Sequence, residues 1–220
     1  LRCIRFGRNG SKEKKMKKQT NVRYLVQLSL LAAIELVMAY TPLGYLRVFA
    51  LEITFLMVPV TLGAILLGPT AGAILGGIFG LTSFATCFSV SGFGDVLLSI
   101  NPVFTFLVCV PTRILAGWLA GLVFKGVFAA ESKTGSRHWL SFGAASLAGP
   151  VLNTVFFMSA LVLFFYQTDF IQGMVQTLGA ANPLMFVVLF VGVQGVLEAV
   201  VGFVVVGILS KTLHPILSKM

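Results

Sequence analysis

Arg113 lies inside an almost unbroken apolar stretch that runs from Ile100 to Phe124. An apolar run of about 20 or more residues is long enough to cross a bilayer as a helix. A guanidinium near the centre of such a helix costs about 2.5–3.5 kcal/mol on insertion scales, and it is tolerated where it faces the interior of a helix bundle. The sequence therefore predicts that Arg113 belongs to an ion site or ligand site inside a membrane protein.

Further polar side chains are predicted at the depth of Arg113. Counting about 1.5 Å per helical residue from the outer end of each predicted helix places Arg113, Asn153 and Glu198 roughly 18–21 Å deep. Gln194 precedes Glu198 by four residues and shares its helix face. Two interpretations remain open. Arg113 and Glu198 could form an ion pair, with Asn153 bonded between helices, or the layer could be the floor of a binding cavity that opens outward.

Three more residues are candidates for the rim of such a cavity. Asn101 precedes the predicted helix of Arg113, and Glu35 and Tyr45 lie near the first predicted outer loop. Glu35 has the simpler alternative of facing water at the membrane interface. The complete predicted substrate-binding set is Asn101, Arg113, Asn153, Gln194, Glu198, Glu35 and Tyr45.

The composition is that of an integral membrane protein. The chain is 57% hydrophobic and 10% charged, whereas a soluble domain carries about 25% charged residues. Nine of its 16 Lys and Arg residues lie at positions 2–23, before or at the start of the first apolar segment. A basic segment beside a first span is the positive-inside pattern of a cytoplasmic end. The net charge of +9 is therefore assigned to topology, and nucleic acid is not expected as a partner.

The predicted fold is an all-α integral membrane protein, a compact bundle of six transmembrane helices with both termini in the cytoplasm. Loops that are basic and loops that are acidic or neutral alternate along the chain, which fits six spans. Residues 1–21 are expected to be a basic tail, of which 1–15 are an extension without a fold of their own. Residues 22–213 form the membrane domain, and 214–220 a second tail. The six apolar segments are 22–41, 51–67, 70–89, 101–127, 138–166 and 184–213.

Small residues recur at a spacing of four in two predicted helices. Gly72, Gly76 and Gly80 form a glycine ladder in the third, and Ser29 and Ala33 form a pair in the first. This spacing puts small residues on one helix face, where another backbone can approach closely. Packing within the bundle and docking of another subunit are both compatible with the pattern. These five residues are the predicted partner-docking set.

The sequence offers no signature of catalysis. It contains no G-x-x-x-x-G-K-[ST], H-E-x-x-H or G-x-S-x-G motif. Cys3, Cys87 and Cys109 lack metal-ligand spacing and are predicted to be buried thiols. No catalytic residue, metal or cofactor is expected. A binding subunit that depends on a separate motor is favoured, with a small oligomeric channel and an intramembrane enzyme as remote alternatives.

A series of motifs resembles the substrate-binding components of energy-coupling factor (ECF) vitamin transporters. The matching segments keep the order and spacing that is typical of that family and cover most of residues 22–213. They are Thr41–Gly44, Val58–Gly72, Gly76–Ser83, Pro111–Gly117, Gly149–Thr154 and Leu197–Ala199.

The resemblance implies a six-helix bundle in the bacterial cell membrane that captures a vitamin from outside. It also implies a transmembrane coupling subunit and two ABC-type ATPases as partners, with delivery by toppling of the whole bundle. Ser29 and Ala33 match the positions that dock the coupling subunit, although Ser29 replaces a more usual alanine. The Pro111–Gly117 and Gly149–Thr154 runs resemble the pantothenate-type members, and pyridoxine, hydroxymethylpyrimidine and folate remain alternative substrates.

Overall fold

The computed structural model describes residues 4–41, 44–48, 51–88, 92–134 and 139–219. Helices dominate this part of the chain, and a single short hairpin separates the first helix from the rest. The elements in chain order are α1 (Ile4–Ala39), β1 (Tyr45–Val48), β2 (Leu51–Thr54), α2 (Met57–Leu66), α3 (Pro69–Thr86), α4 (Gly92–Ile100), α5 (Pro102–Thr134), α6 (Trp139–Phe165), α7 (Asp169–Thr177) and α8 (Pro183–Lys219).

Three helices in the described residues are long and apolar enough to cross a membrane. They contain the apolar stretches Val22–Ala39, Pro102–Lys133 and Leu140–Phe165. The two arms of α8, Pro183–Gly192 and Gly195–Ser210, make a fourth if they count as one span, although their directions differ by 53°. The protein is therefore a helical membrane protein.

The second predicted helix is shortened by the hairpin. Residues 51–67 were expected to form one span, but Leu51–Thr54 is a strand and α2 has only 10 residues. The strands are antiparallel, with Tyr45 opposite Thr54 and Arg47 opposite Glu52. β-Branched residues next to polar ones in this stretch favour a strand over a helix, a local signal that the apolar run obscured.

Two segments expected to be loops are short helices. The segment after α3 forms α4 and the segment after α6 forms α7, each with an aspartate in its first turn, Asp95 and Asp169. A carboxylate there is favourable because the helix N-terminus carries partial positive charge. Both helices pack on a phenylalanine cluster in which Phe93 lies 5.8 Å from Phe170 and 5.7 Å from Phe190, between ring centroids.

The glycine ladder of α3 packs inside the bundle against α5. A side chain on any of its three glycines would collide with the α5 backbone. In ladder order, the glycines Gly72, Gly76 and Gly80 face Gly117, Arg113 and Val110. The predicted role of Gly72, Gly76 and Gly80 in docking a partner is therefore corrected, because α5 already occupies this face. Spacing alone could not identify the occupant.

The other small pair lies on an outward face. Ser29 and Ala33 of α1 are exposed, whereas Leu31, Glu35 and Ala39 share the buried face of the same helix. α1 itself begins at Ile4, although residues 1–15 were expected to have no fold. The Lys, Arg and Glu residues of this segment are good helix formers and allow the helix to extend.

Glu131 closes the junction between α5 and α6. Its carboxylate oxygens accept hydrogen bonds from the backbone N–H groups of Leu140, at 3.1 Å, and Ser141, at 2.9 Å. These donors lie in the first turn of α6 and have no partner within the helix. The residue was expected in a loop, but it lies within α5 and is buried.

Substitution in the glycine ladder tests this packing. We expect Gly76→Ala to lower the free energy of unfolding by about 1–3 kcal/mol, because the new methyl group meets the carbonyl oxygen of Arg113. Gly77→Ala is the matched control on the same helix, since its methyl group would meet Ile114 at an ordinary 3.6 Å. Thermal unfolding in detergent measures both variants. Equal melting temperatures for the two would contradict the close α3–α5 contact.

Candidate ligand-binding site

Arg113 is held between two aromatic rings in the bundle interior. The residue is 6% exposed. Its guanidinium carbon lies 4.7 Å from the ring centroid of Phe79 on α3 and 5.2 Å from that of Phe157 on α6. The negative faces of aromatic rings attract a cation, and the attraction grows to about 2 kcal/mol when the pair is desolvated. The rings therefore stabilise the charge and fix the direction of the side chain.

The backbone of α5 supplies the remaining contacts of the guanidinium. Nη1 of Arg113 donates to the carbonyl oxygens of Cys109, at 3.0 Å, and Val108, at 3.4 Å. Pro111 lies in this turn, but the carbonyl group that loses its N–H partner there is that of Leu107, four residues earlier. The guanidinium bonds to the next two carbonyl groups, and the hydroxyl group of Thr112 also donates to the carbonyl oxygen of Val108.

One edge of the planar Arg113 guanidinium group is available to a further hydrogen-bond acceptor. The hydrogen bonds that it makes with the described residues use Nη1 alone. Nε is buried and has no hydrogen-bond partner among them. A guanidinium presents its donors in a planar fork that suits the two oxygens of a carboxylate. The Nε and Nη2 edge is therefore suited to an anion.

Asn153 provides an unused acceptor on the neighbouring helix. It is 7% exposed and precedes Phe157 by four residues, so the two side chains share one face of α6. Its Oδ1 is buried without a partner in the described part of the chain. Because the Phe157 ring contacts the guanidinium of Arg113, the amide of Asn153 lies about one helical turn from that contact along α6.

Glu35 of α1 provides a buried acid near Phe79. The residue is fully buried, which corrects the alternative that it faces water at the interface. Its carboxyl group lies beside the backbone of Phe79. Both carboxyl oxygens are without a hydrogen-bond partner among the described residues.

Within the described ranges, every buried side-chain nitrogen or oxygen atom that lacks a hydrogen-bond partner belongs to Glu35, Arg113 or Asn153. The atoms are Glu35 Oε1 and Oε2, Arg113 Nε and Asn153 Oδ1. Leaving such a group without a hydrogen bond costs about 1–3 kcal/mol, and folded proteins contain few of them. Three helices thus turn polar atoms toward the bundle interior around Phe79 and Phe157. The arrangement is suited to a small polar ligand with an anionic group.

Glu198 does not pair with Arg113. Its Oε1 accepts hydrogen bonds from the backbone N–H of Thr54, at 2.8 Å, and from the Thr54 hydroxyl group, at 3.2 Å. The ion pair that the sequence suggested is therefore corrected: within the described residues, the contacts of Arg113 are with carbonyl groups and aromatic rings. Glu198 instead joins α8 to the end of β2, because a strand residue at this depth needs a partner for its backbone N–H.

The structure places the other predicted site residues as follows. Asn101 caps α5, since its Oδ1 accepts from the N–H groups of Val103, at 3.0 Å, and Phe104, at 3.2 Å. Its side-chain oxygen is thus committed to the helix. Tyr45 is the β1 residue opposite Thr54, and Gln194 falls between the two arms of α8. The side chains of Tyr45 and Gln194 lie outside the described parts of the structure.

Sequence reasoning missed Phe79, Phe157 and Thr54. The chain contains 20 phenylalanines, and nothing in their spacing separates the two that hold Arg113 from those that fill the core. Thr54 could not be recognised because its role depends on a hairpin that the sequence did not predict. A cluster that could hold a metal ion is absent from the described residues.

The link between Glu198 and the hairpin can be tested by removing its acceptor. We expect Glu198→Ala to lower the free energy of unfolding by about 1–3 kcal/mol, because the N–H of Thr54 loses its partner. Glu198→Gln keeps a side-chain oxygen and serves as the matched control. Amide hydrogen exchange of the peptide that contains Thr54 should accelerate in the alanine variant. Unchanged exchange there would show that the carboxylate does not hold the strand.

Comparison with known proteins identifies the family of this chain. A family model described as "ECF transporter, substrate-specific component" matches residues 23–210. The chain is 35% identical over 130 residues to the pantothenic acid transporter PanT of Lactococcus lactis subsp. cremoris, an alignment that covers 54% of this chain and 61% of that protein. It is 27% identical over 204 residues to the pantothenate transporter PanT of Leuconostoc mesenteroides subsp. mesenteroides, covering 90% of this chain and 95% of that protein.

The family match spans the apolar part of α1 and continues through most of α8. It therefore includes all the helices that turn polar atoms toward Phe79 and Phe157. The resemblance inferred from the sequence motifs is confirmed, and the chain belongs to the family of ECF transporter substrate-specific components.

Proposed function

We propose that this protein is the substrate-capture subunit of an ECF-type importer and that its substrate is pantothenate. The observation that carries the proposal is the set of buried, unsatisfied polar atoms of Glu35, Arg113 and Asn153 inside an apolar bundle. Two relatives named for pantothenate transport support the choice of substrate. The protein binds and delivers its substrate, and ATP hydrolysis is supplied by its partners.

Pantothenate carries groups that complement these atoms. Its carboxylate would receive two parallel hydrogen bonds from Nε and Nη2 of Arg113. Its amide N–H or a hydroxyl group would donate to Oδ1 of Asn153, and a hydroxyl group would bond to Glu35. Its methyl groups would contact the rings of Phe79 and Phe157. Pyridoxine and hydroxymethylpyrimidine carry no carboxylate and would leave the Arg113 edge without an anion.

The hairpin supports a cavity at this depth. Glu198 lies within the apolar arm Gly195–Ser210 of α8, so Thr54, which it binds, reaches well below the membrane surface. Non-helical backbone is tolerated there only if it is buried in protein or lines a water-filled cavity. We place Tyr45, Gln194 and Glu198 around the hairpin side of the site, with Asn101 at its mouth.

The proposed topology has six membrane elements with both termini in the cytoplasm. The hairpin with α2 serves as the second element and the glycine-rich α3 as the third, between the longer spans of α1, α5, α6 and α8. The hairpin, α4 and α7 then lie toward the outside, where substrate enters. The basic segment before residue 24 lies in the cytoplasm, consistent with the positive-inside pattern.

The proposed partners are a transmembrane coupling subunit and two ABC-type ATPases in the bacterial cell membrane. Ser29 and Ala33 form an exposed small-residue stripe on α1 and are the proposed docking contact. The carbonyl group of Leu25 accepts a hydrogen bond from the Ser29 hydroxyl at 2.7 Å, so the hydroxyl proton keeps its partner when an apolar helix packs on it and excludes water. Toppling of the bundle would deliver the substrate.

Binding of radiolabelled pantothenate to the purified protein tests the site. We expect Arg113→Lys to weaken affinity at least about tenfold, because an ammonium group cannot make the two parallel bonds of a guanidinium. Asn153→Ala should weaken it by about 1–1.5 kcal/mol through loss of one hydrogen bond. Asn182→Ala is the matched control, since Asn182 is exposed. A monodisperse Arg113→Lys protein that binds as tightly as the parent would contradict the assignment.

Docking can be separated from substrate binding by enlarging the α1 stripe. We expect the Ser29→Leu, Ala33→Leu double variant to lose co-purification of the coupling subunit, because two bulky side chains prevent close helix approach. Pantothenate binding should be unchanged. Ile34→Phe enlarges an exposed residue on another part of α1 and should retain the complex. Loss of substrate binding in the double variant, or full retention of the partner, would argue against this surface.

A further inference from the structure

Two cysteines from different helices meet close to the ligand site. Cys87 is the residue that ends α3, and Cys109 lies within α5. Both are thiols and each is 5% exposed. They pack in one buried cluster together with Val110. The predicted buried thiols are thus confirmed for these two residues and, beyond the prediction, form a pair.

The pair is connected directly to Arg113. The carbonyl oxygen of Cys109 accepts the 3.0 Å hydrogen bond from Nη1. The thiol of Cys87 donates to the carbonyl oxygen of Ser83 at 3.3 Å, one turn back along α3. A change in the position of the Cys109 peptide would therefore move one of the two carbonyl groups that hold the guanidinium.

We propose that Cys87 and Cys109 are a modification site at which oxidation by a peroxide forms a disulfide and weakens substrate capture. The two S–H bonds and the O–O bond of one peroxide molecule break, and one S–S bond forms. The two thiol hydrogens and the two peroxide oxygens leave as two water molecules, or as water and an alcohol for an organic peroxide. Sulfur is oxidised and the peroxide is reduced. The effect on capture rests on the proposed function of the Arg113 site.

The local geometry explains why the oxidation would disturb Arg113. Side-chain atoms in packing contact are separated by about 4 Å, whereas the sulfur atoms of a disulfide are about 2.05 Å apart with a defined dihedral angle. The helices cannot move closer together to close that gap, because the backbones of α3 and α5 already meet at Gly80 and Val110. Cys87, at the end of α3, and the peptide of Cys109 must absorb the shift. The Cys109 peptide carries the carbonyl oxygen that accepts a hydrogen bond from Arg113.

The experiment uses the full chain with Cys3→Ser, so that Cys87 and Cys109 are its remaining cysteines. After treatment with hydrogen peroxide, we expect the intact mass to fall by two hydrogen atoms and peptide mapping to find Cys87 joined to Cys109. The affinity for pantothenate should fall about tenfold and return after reduction with dithiothreitol. Adding Cys87→Ser should remove both the mass change and the peroxide sensitivity of binding.

Several outcomes would overturn the inference. They are separate oxidation of the two sulfurs to sulfinic or sulfonic acids, absence of any mass loss, or a quantitative disulfide that leaves pantothenate affinity unchanged. If the reduced protein binds no pantothenate, the proposed substrate is wrong. The mass measurement still decides in that case whether the two thiols form a disulfide, so the two failures are distinguishable.

Discussion

The contact between the backbones of α3 and α5 sets the geometry on which the ligand site depends. Gly76 allows α3 to lie directly on the carbonyl group of Arg113, because a Cβ atom at this position would come within 2.3 Å of that oxygen. Phe79 follows three residues later on the same side of α3, and its ring reaches the guanidinium at 4.7 Å. Wider spacing would withdraw this ring. The ladder therefore acts on the site through the position of Phe79.

The charge of Arg113 is stabilised without a carboxylate from the described residues. Two aromatic faces and two carbonyl groups surround it, and each hydrogen bond to a charged group contributes about 1.5–3 kcal/mol. Contacts of this size offset an insertion cost of about 2.5–3.5 kcal/mol. A glutamate in the same position would neutralise the cation and compete with an anionic ligand. Stabilisation by dipoles and rings leaves the net positive charge available for binding.

The sequence was sufficient to predict which helices carry polar groups in the bundle, but not what those groups contact. Arg113, Asn153 and Glu198 stand out because charged and amide side chains are rare in apolar stretches. One of the two interpretations paired Glu198 with Arg113, which is wrong; its partner Thr54 lies on a hairpin within a segment that has the composition of an apolar helix. The glycine ladder was ambiguous for a related reason: spacing identifies a close-packing face, whereas its partner is decided by the tertiary fold.

Hairpin, α8 and α6 form a connected unit beside the site. A Cβ at Gly195 would lie 3.6 Å from the methyl group of Thr154, so α8 is close to α6 next to Asn153. One helical turn beyond Gly195, Glu198 binds the last residue of β2. A displacement of the hairpin therefore also moves α8. The moved part of α8 packs against the turn of α6 that carries the Asn153 amide. Because the backbone N–H of Thr54 has no helical partner, the hairpin cannot leave Glu198 at membrane depth without an energetic cost. The position of Thr54 in the hairpin is therefore mechanically linked to that of the Asn153 acceptor, although the two residues lie in different elements.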